Sequence, residues 1–276
     1  MYRPSLKSDR SLIILLILAI VLFYIAQSSY LHIKSDNYEL KIAAANLMKA
    51  SIDSLTAEIN RRGIEIDPID DPLKTGLIGN RLSSITTDRG LLSEKQAAIN
   101  PNISAIFVEE LSKLKLMPGD CIAVGITGSN PAVNIALYSA IQVMELNPKI
   151  VVSLSSASYG ANRPELTWLD MENILKEKGL INFKSAYASF GGKEDLGIGL
   201  SDNGIKALRD AMQRNNVPLL IGNNLDDNIS LRMAAYDEML PEGQRYKAFI
   251  NIGTGIANVG SEPNANLIPE GINKFS

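Results

Sequence analysis

Between residues 80 and 252, short apolar runs alternate with longer stretches of helical period, one unit roughly every 30 residues. Residues 120–126 (DCIAVGI), 149–154 (KIVVSL), 184–190, 217–221 and 248–252 read as strands. Residues 92–99, 102–116, 131–144, 166–178, 202–213 and 229–239 read as helices. Alternation of this kind closes as a parallel sheet joined by right-handed crossovers. The strands are apolar nearly throughout, as VVSL and PLLI illustrate, so helices are expected on both faces of the sheet. No repeat beyond this architectural one is visible.

The start of the chain obeys a different rule. Leu12 to Ala26 is an unbroken apolar run, and Ser11 to Tyr30 carries no charge over 20 residues. At helical rise that is about 30 Å, the thickness of a hydrocarbon core. Arg3, Lys7 and Arg10 precede the run, while Lys34 and Lys41 follow it, which favours a cytoplasmic N-terminus with the remainder outside. An uncleaved anchor is expected, and the rival is a signal peptide cut at Ala26-Gln27-Ser28. Residues 37–62 contain neither Gly nor Pro, and Leu40, Ala44, Leu47, Met48, Leu55 and Ile59 share one helical face. Gly63, after Arg61 and Arg62, stops this helix. The helix either packs on the domain or pairs with a second copy as a coiled coil. Residues 63–79, with Pro68 and Pro72, read as a linker with an edge strand at 64–66. The expected plan is an anchor at 1–36, a stalk helix and linker at 37–79, and an α/β domain at 80–276. The domain is expected to be an open, mostly parallel, Rossmann-like sheet with flanking helices. Residues 260–276 contain no recognisable closing element, and a further βα unit is expected beyond Ser276.

Composition removes several kinds of chemistry. A net charge of −3 and a pI near 5.4 give no basic field for nucleic acid. The single Cys121 rules out an intramolecular disulfide and a Cys-rich zinc site. The single His32 excludes HExxH sites and leaves most serine hydrolysis without a base. Two residues past the apolar run, it is expected at the membrane face. Neither a metal nor an organic cofactor is expected.

In an open parallel sheet, ligands bind beyond the carboxyl ends of the strands, and that rule selects five loops. The first, Gly125-Ile126-Thr127-Gly128-Ser129-Asn130, opens a helix at Pro131 and offers close backbone approach with free N–H groups for an anion. The second carries Ser155, Ser156, Tyr159, Asn162 and Arg163, and its guanidinium suits a carboxylate. Farther on, Thr167 reads as a helix cap with Asp170 and Glu172 behind it, and Trp168 as a packing anchor or a substrate platform. The third supplies Gly191, Gly192 and Lys193, the fourth Asp226 and Asp227, and the fifth Gly253 and Thr254. Plain turn and cap chemistry explains each loop as an alternative. GxGxxG, the P-loop and GxSxG are all incomplete. A Ser–Lys pair of Ser129 or Ser156 with Lys193 keeps catalysis open without establishing it.

The run Ser155-Ser156 with Tyr159-Gly160-Ala161-Asn162-Arg163-Pro164, followed by Thr167-Trp168-Leu169-Asp170-Met171-Glu172, resembles that of the poly-γ-glutamate system proteins. These are membrane-linked bacterial proteins associated with making or exporting γ-linked polyglutamate capsule. Gly125 to Pro131, Asn224-Leu225-Asp226-Asp227-Asn228, Gly253-Thr254-Gly255 and Gly271-Ile272-Asn273 are similar too, as is the N-terminal apolar segment. The likeness spans most of residues 37–276, and the Trp168 stretch is its specific part. It implies an accessory role in synthesis or export, with the membrane, other proteins of that machinery and the anionic polymer as partners. A tethered enzyme acting on the polymer or on a glutamyl intermediate, and a binder of another periplasmic anion, are the alternatives. The family supplies no catalytic residues to carry across. The first three loops are expected to share one crevice in which Arg163 and Lys193 grip carboxylates. Arg163→Ala is then expected to weaken glutamyl binding by about 1.5–3 kcal/mol. Glu165, Asp170, Glu172, Glu194 and Asp195 must face away for this to work.

Overall fold

In a computed structural model, the described residues are 8–29, 34–260, 263, 267, 269 and 271–273. Arg3, Lys7 and His32, used above for orientation and chemistry, lie outside them. The chain divides into two compact units, Met1–Tyr38 and Glu39–Ser276.

The first unit holds α1 (Asp9–Ser28), with mean hydropathy 2.5 and no buried residue. By length and composition it can cross a membrane.

The second unit begins one residue into α2 (Tyr38–Arg61), which buries Ala44, Met48, Ser51, Ile52, Leu55 and Ile59. The apolar ones among these join the main hydrophobic core, so the helix packs on the domain and its apolar face is not left for a coiled coil. At its end Gly63 takes φ +68, and Ile64 N–H reaches back to the Ile59 carbonyl at 3.2 Å. The segment after it forms no strand at 64–66. Instead the buried Asp71 carboxylate accepts from Thr75 Oγ1 at 3.0 Å and Gly76 N–H at 2.6 Å, which folds residues 71–76 into a turn.

Next come β1 (Thr86–Asp88), α3 (Leu92–Ala98), α4 (Ile103–Lys113), β2 (Cys121–Thr127), α5 (Pro131–Val143) and β3 (Asn147–Ser153). The short strands β4 (Ser156–Ala157), β5 (Asn162–Arg163) and β6 (Leu166–Thr167) lead into α6 (Trp168–Glu177). The remainder is β7 (Tyr187–Ser189), α7 (Asp202–Arg214), α8 (Leu225–Met239), β8 (Ala248–Ile252) and α9 (Ile256–Val259). The main sheet has the order β7-β3-β2-β8 with every neighbouring pair parallel. β1 pairs in parallel with β4, and β5 pairs antiparallel with β6.

The strand expected at 217–221 shrinks to a single parallel bridge, Ala188 with Leu219. Ala188 N–H donates to the Pro218 carbonyl at 3.0 Å and Leu220 N–H to the Ala188 carbonyl at 2.8 Å. Pro218 has no N–H of its own, so a longer ladder through it would lack a donor.

The core lies on both faces of the sheet: Ile122, Val124, Ile126, Ile150 and Val152 are sealed on one face, and Ala123, Val151 and Tyr236 form a smaller cluster on the other. Trp168 is sealed too, edge-on to Tyr138 at 5.3 Å between ring centroids, which makes it a packing anchor and removes the platform reading. Glu172 is buried beneath it, accepting from Tyr138 Oη at 2.6 Å and from Ser185 Oγ and N–H at 2.9 Å. Burial pushes the Glu172 carboxyl above its ordinary value and, with the nearby carboxylate, pushes the Tyr138 phenol well above its own.

The chain steps outward from β2 to β3 to β7, then returns to place β8 on the other side of β2. Loops leaving β2 and β8 therefore diverge, and a crevice opens between them at their carboxyl ends.

Candidate functional site

The crevice has a volume of about 550 Å³. Its walls come from the ends of β1 (Thr87, Asp88), β2 (Thr127, Ser129) and β3 (Ser153, Ser155), from the loop after β7 (Gly192, Lys193), and from Thr254, Gly255, Ile256 and Val259 around α9. Among the described residues lining it, six bear hydroxyls, Lys193 is the cation and Asp88 the carboxylate.

Each wall is held by local chemistry. Gly128 N–H donates to the Ser153 carbonyl at 3.0 Å, while the Gly128 carbonyl accepts from Ala161 N–H at 2.8 Å and Ser156 Oγ at 3.1 Å. Ser129 Oγ accepts from Ala157 N–H at 3.0 Å, so the loops after β2 and β3 are clasped together. Thr87 Oγ1 and Ser155 Oγ share a hydrogen bond at 3.0 Å, tying β1 to the same wall. Two glycines permit the close approach. Gly191 has φ +79, and a Cβ there would lie 2.5 Å from Ser155 Oγ. Gly253 has φ +91, and a Cβ there would lie 2.4 Å from Thr127 Oγ1. Behind Ser153 lies a buried ion pair: Arg232 Nη2 donates to Asp195 Oδ2 at 2.7 Å, and Ser153 Oγ donates to Asp195 Oδ1 at 2.7 Å.

The structure brings together Thr127, Ser129, Ser155, Gly192, Lys193 and Thr254 of the expected site residues. Gly128, Gly191 and Gly253 stand behind them as backbone supports. The other expected residues go elsewhere. Gly125 is inside β2, opposite Val151 and Asn251. Asn130 forms no side-chain cap on α5, and its Oδ1 is buried without a partner. Ser156 Oγ is sealed and bonds the Gly128 and Ala157 carbonyls. Tyr159 packs against the main core, with its N–H donating to the Asn80 carbonyl at 2.9 Å and its carbonyl taking Gly79 N–H at 3.1 Å. Asn162 takes Asn80 N–H on Oδ1 at 2.8 Å and returns Nδ2 to the Asn80 carbonyl at 2.7 Å. Asp227 accepts from Asn223 N–H and Nδ2 at the start of α8, and Asp226 is exposed beside it. Neither lines the crevice.

The largest correction concerns Arg163. It is 4% exposed, and its Nη atoms donate to the carbonyls of Gly76 at 2.9 Å, Ile78 at 3.1 Å and Glu65 at 3.4 Å. Three backbone acceptors on residues 65–78 have taken the donors that a ligand carboxylate would need. Burial also pulls its pKa below the ordinary guanidinium value. Arg163 is a clasp for the turn after α2, outside the crevice.

The acidic neighbours are accounted for individually. Asp170 caps α6 through Thr167 N–H at 2.7 Å and pairs with Arg214 at 2.6 Å. Glu172 is sealed in the core, and Asp195 faces Arg232. Neither Glu165 nor Glu194 lines the crevice.

Thr87, Asp88, Ser153, Ile256, Val259 and the Asp195–Arg232 pair behind Ser153 were not expected. Thr87 and Asp88 precede the first main-sheet strand, and Ser153 is one polar residue inside an apolar run. Arg232 sits mid-helix, where an arginine reads as an exposed charge. The one available signal was Asp195, adjoining the glycine-rich Lys193 loop. Among the described residues, no group of three His, Cys, Asp or Glu side chains is placed to hold a metal.

The arrangement suits binding more readily than hydrolysis. Ser153 Oγ–H is directed at a carboxylate that Arg232 already engages, and Ser155 Oγ is paired with a threonine hydroxyl. What remains in the lining is an exposed lysine together with a set of hydroxyl side chains. No protein-family model, no curated protein and no solved structure matches this chain.

Proposed function

We propose that the chain is a membrane-anchored accessory protein of poly-γ-glutamate synthesis or export, whose Rossmann-like unit binds carboxylates of the polymer in the crevice. On this reading α1 anchors the chain with its N-terminus in the cytoplasm, and the α/β unit works outside alongside other proteins of the same machinery. The observation that carries the binding role is the exposed Lys193 lining one crevice with hydroxyl side chains at the carboxyl ends of a parallel sheet. Ammonium and hydroxyl donors match a carboxylate, the repeating group of polyglutamate. Asp88 on the same rim complements an ammonium, such as the free amino end of a γ-glutamyl chain. The net charge of −3 is compatible with this, because Asp170, Glu172 and Asp195 are engaged internally and a crevice focuses its own field.

The test is titration of the full chain in detergent with short γ-linked glutamate oligomers, wild type against Lys193→Ala. A loss of about 1 kcal/mol, roughly fivefold in Kd, is expected for a partly solvated charged contact. Equal affinity, or no binding by the wild type, overturns the crevice assignment. Deleting the gene addresses the pathway: loss of polymer supports synthesis or export, and altered chain length at normal amount supports a processing enzyme instead. A mature chain found soluble and beginning near Gln27 to Ser29 would replace the anchor with a signal peptide.

A further inference from the structure

We propose that Arg232 and Asp195 are positioning residues that hold Lys193 over the crevice by locking the loop between β7 and α7 in a conformation it would not keep alone. The inference extends the carboxylate-binding reading and rests on it for the role of Lys193.

The loop is unusual in its backbone. Glu194 and Asp195 both occupy the left-handed region, at φ +57 and +61, as do Gly191, Gly192, Gly197 and Gly199 around them. Two consecutive non-glycine residues in that region persist only where the surroundings impose it. Part of the constraint is internal: Asp195 N–H bonds the Gly192 carbonyl at 3.0 Å, and Gly197 N–H bonds that of Gly191 at 2.7 Å. The rest comes from α8. Asn228 Nδ2 donates to the Glu194 carbonyl at 2.8 Å, and one turn farther Arg232 grips Asp195. The three side chains are 1–2% exposed.

Arg232 does more than pair. Its Nη2 also reaches Ser189 Oγ at 2.8 Å and Ser153 Oγ at 3.1 Å, and its Nη1 donates to Asn258 Oδ1 at 2.7 Å. One guanidinium therefore touches the ends of β3 and β7, the Lys193 loop and α9. Ser153 lines the crevice, Lys193 is two residues from Asp195, and Ile256 and Val259 flank Asn258 in the opposite wall. A device for stability alone would be better served by apolar packing, since a buried ion pair is weak evidence for stability. Here Arg232 Nε is even left buried without a partner. What the pair secures is geometry: it sets the distance of Lys193 from the hydroxyls of the lining.

The experiment uses the full chain in detergent and removes both charges together, as Asp195→Leu with Arg232→Met, so that no buried charge is stranded. Amide exchange in residues 191–199 is expected to rise at least tenfold, with exchange in β2 and α5 unchanged. With a γ-linked glutamate trimer as probe, affinity is expected to fall about as far as in Lys193→Ala, and no further when Lys193→Ala is added. Unchanged exchange at 191–199, or losses that add, overturns the proposal. If the double variant fails to fold, Arg232→Lys keeps the charge but loses the fork that reaches Asp195, Ser189 and Asn258 together, and the same exchange measurement decides with the same two outcomes. If the wild type binds no trimer, the carboxylate-binding reading fails, and exchange at 191–199 still decides whether the pair locks the loop.

Discussion

The loops that follow β3 and β7 both leave the carboxyl end of a sheet strand and are opposites in structure. The first, residues 154–167, is the richer in functional groups, yet almost all of them are turned inward: Arg163 onto three carbonyls, Asn162 onto Asn80, Ser156 onto Gly128. The second, residues 190–201, has few such groups, but its backbone is left-handed at six positions and its lysine is exposed at the crevice. Availability, and not richness, separates them. A donor whose acceptors are already in place contributes to folding, whereas a donor held where none reaches it is left for a ligand.

The strongest attempt to break this comparison is Arg163→Ala. Removing a buried guanidinium strands the Gly76, Ile78 and Glu65 carbonyls and is expected to destabilise the unit by about 3 kcal/mol, read by denaturant unfolding. Affinity for glutamate oligomers per folded molecule should not change; a selective loss of affinity would return Arg163 to the site.

The same inward-turned segment leads to Glu172, where burial raises the carboxyl above 4.5. The folded state then keeps a proton that the unfolded state releases. Stability should therefore be full below about pH 4.5 and fall as pH rises toward the folded value, by at most about 1.4 kcal/mol per pH unit. Glu172→Gln should flatten that slope in unfolding measured across pH. An unchanged slope would show that the carboxyl is ionised in the fold.

Lys193→Ala tests the other loop and should act the opposite way to Arg163→Ala, costing about 1 kcal/mol of oligomer affinity with unfolding free energy unchanged. Loss of stability without loss of affinity would put both loops in one class. The smallest effect is expected at Asn224→Ala. Asn224 accepts from Asp227 N–H at 2.9 Å as the cap of α8. Its loss should cost about 0.5 kcal/mol in thermal or denaturant unfolding and leave binding untouched.

Several elements were legible in the residues alone. β8 has the bounds read from its apolar run, and α3, α4, α5 and α7 differ from expectation by a few residues at their ends. α8 starts four residues earlier than expected, because Asn224 caps it. The strand at 217–221 failed on Pro218. The helix expected as a stalk has the predicted buried face but spends it on the domain core. At the site, the loops at strand ends were legible because the parallel sheet dictates where they converge. Arg163 was misread because a bidentate donor looks the same whether it faces a ligand or a carbonyl. Arg232 was missed because no local pattern distinguishes a mid-helix arginine that enters the core.

The periodic features follow from the residues alone: the apolar helix α1, the parallel α/β alternation and the glycine turns that bring strand ends together. Each depends on contacts within a few residues, or on a solvent preference that composition already expresses. Which polar groups remain available is settled on folding. That depends on partners far apart in the chain, such as Arg163 with Gly76 or Arg232 with Ser153, and a hydrogen bond made across that distance leaves no trace in local spacing.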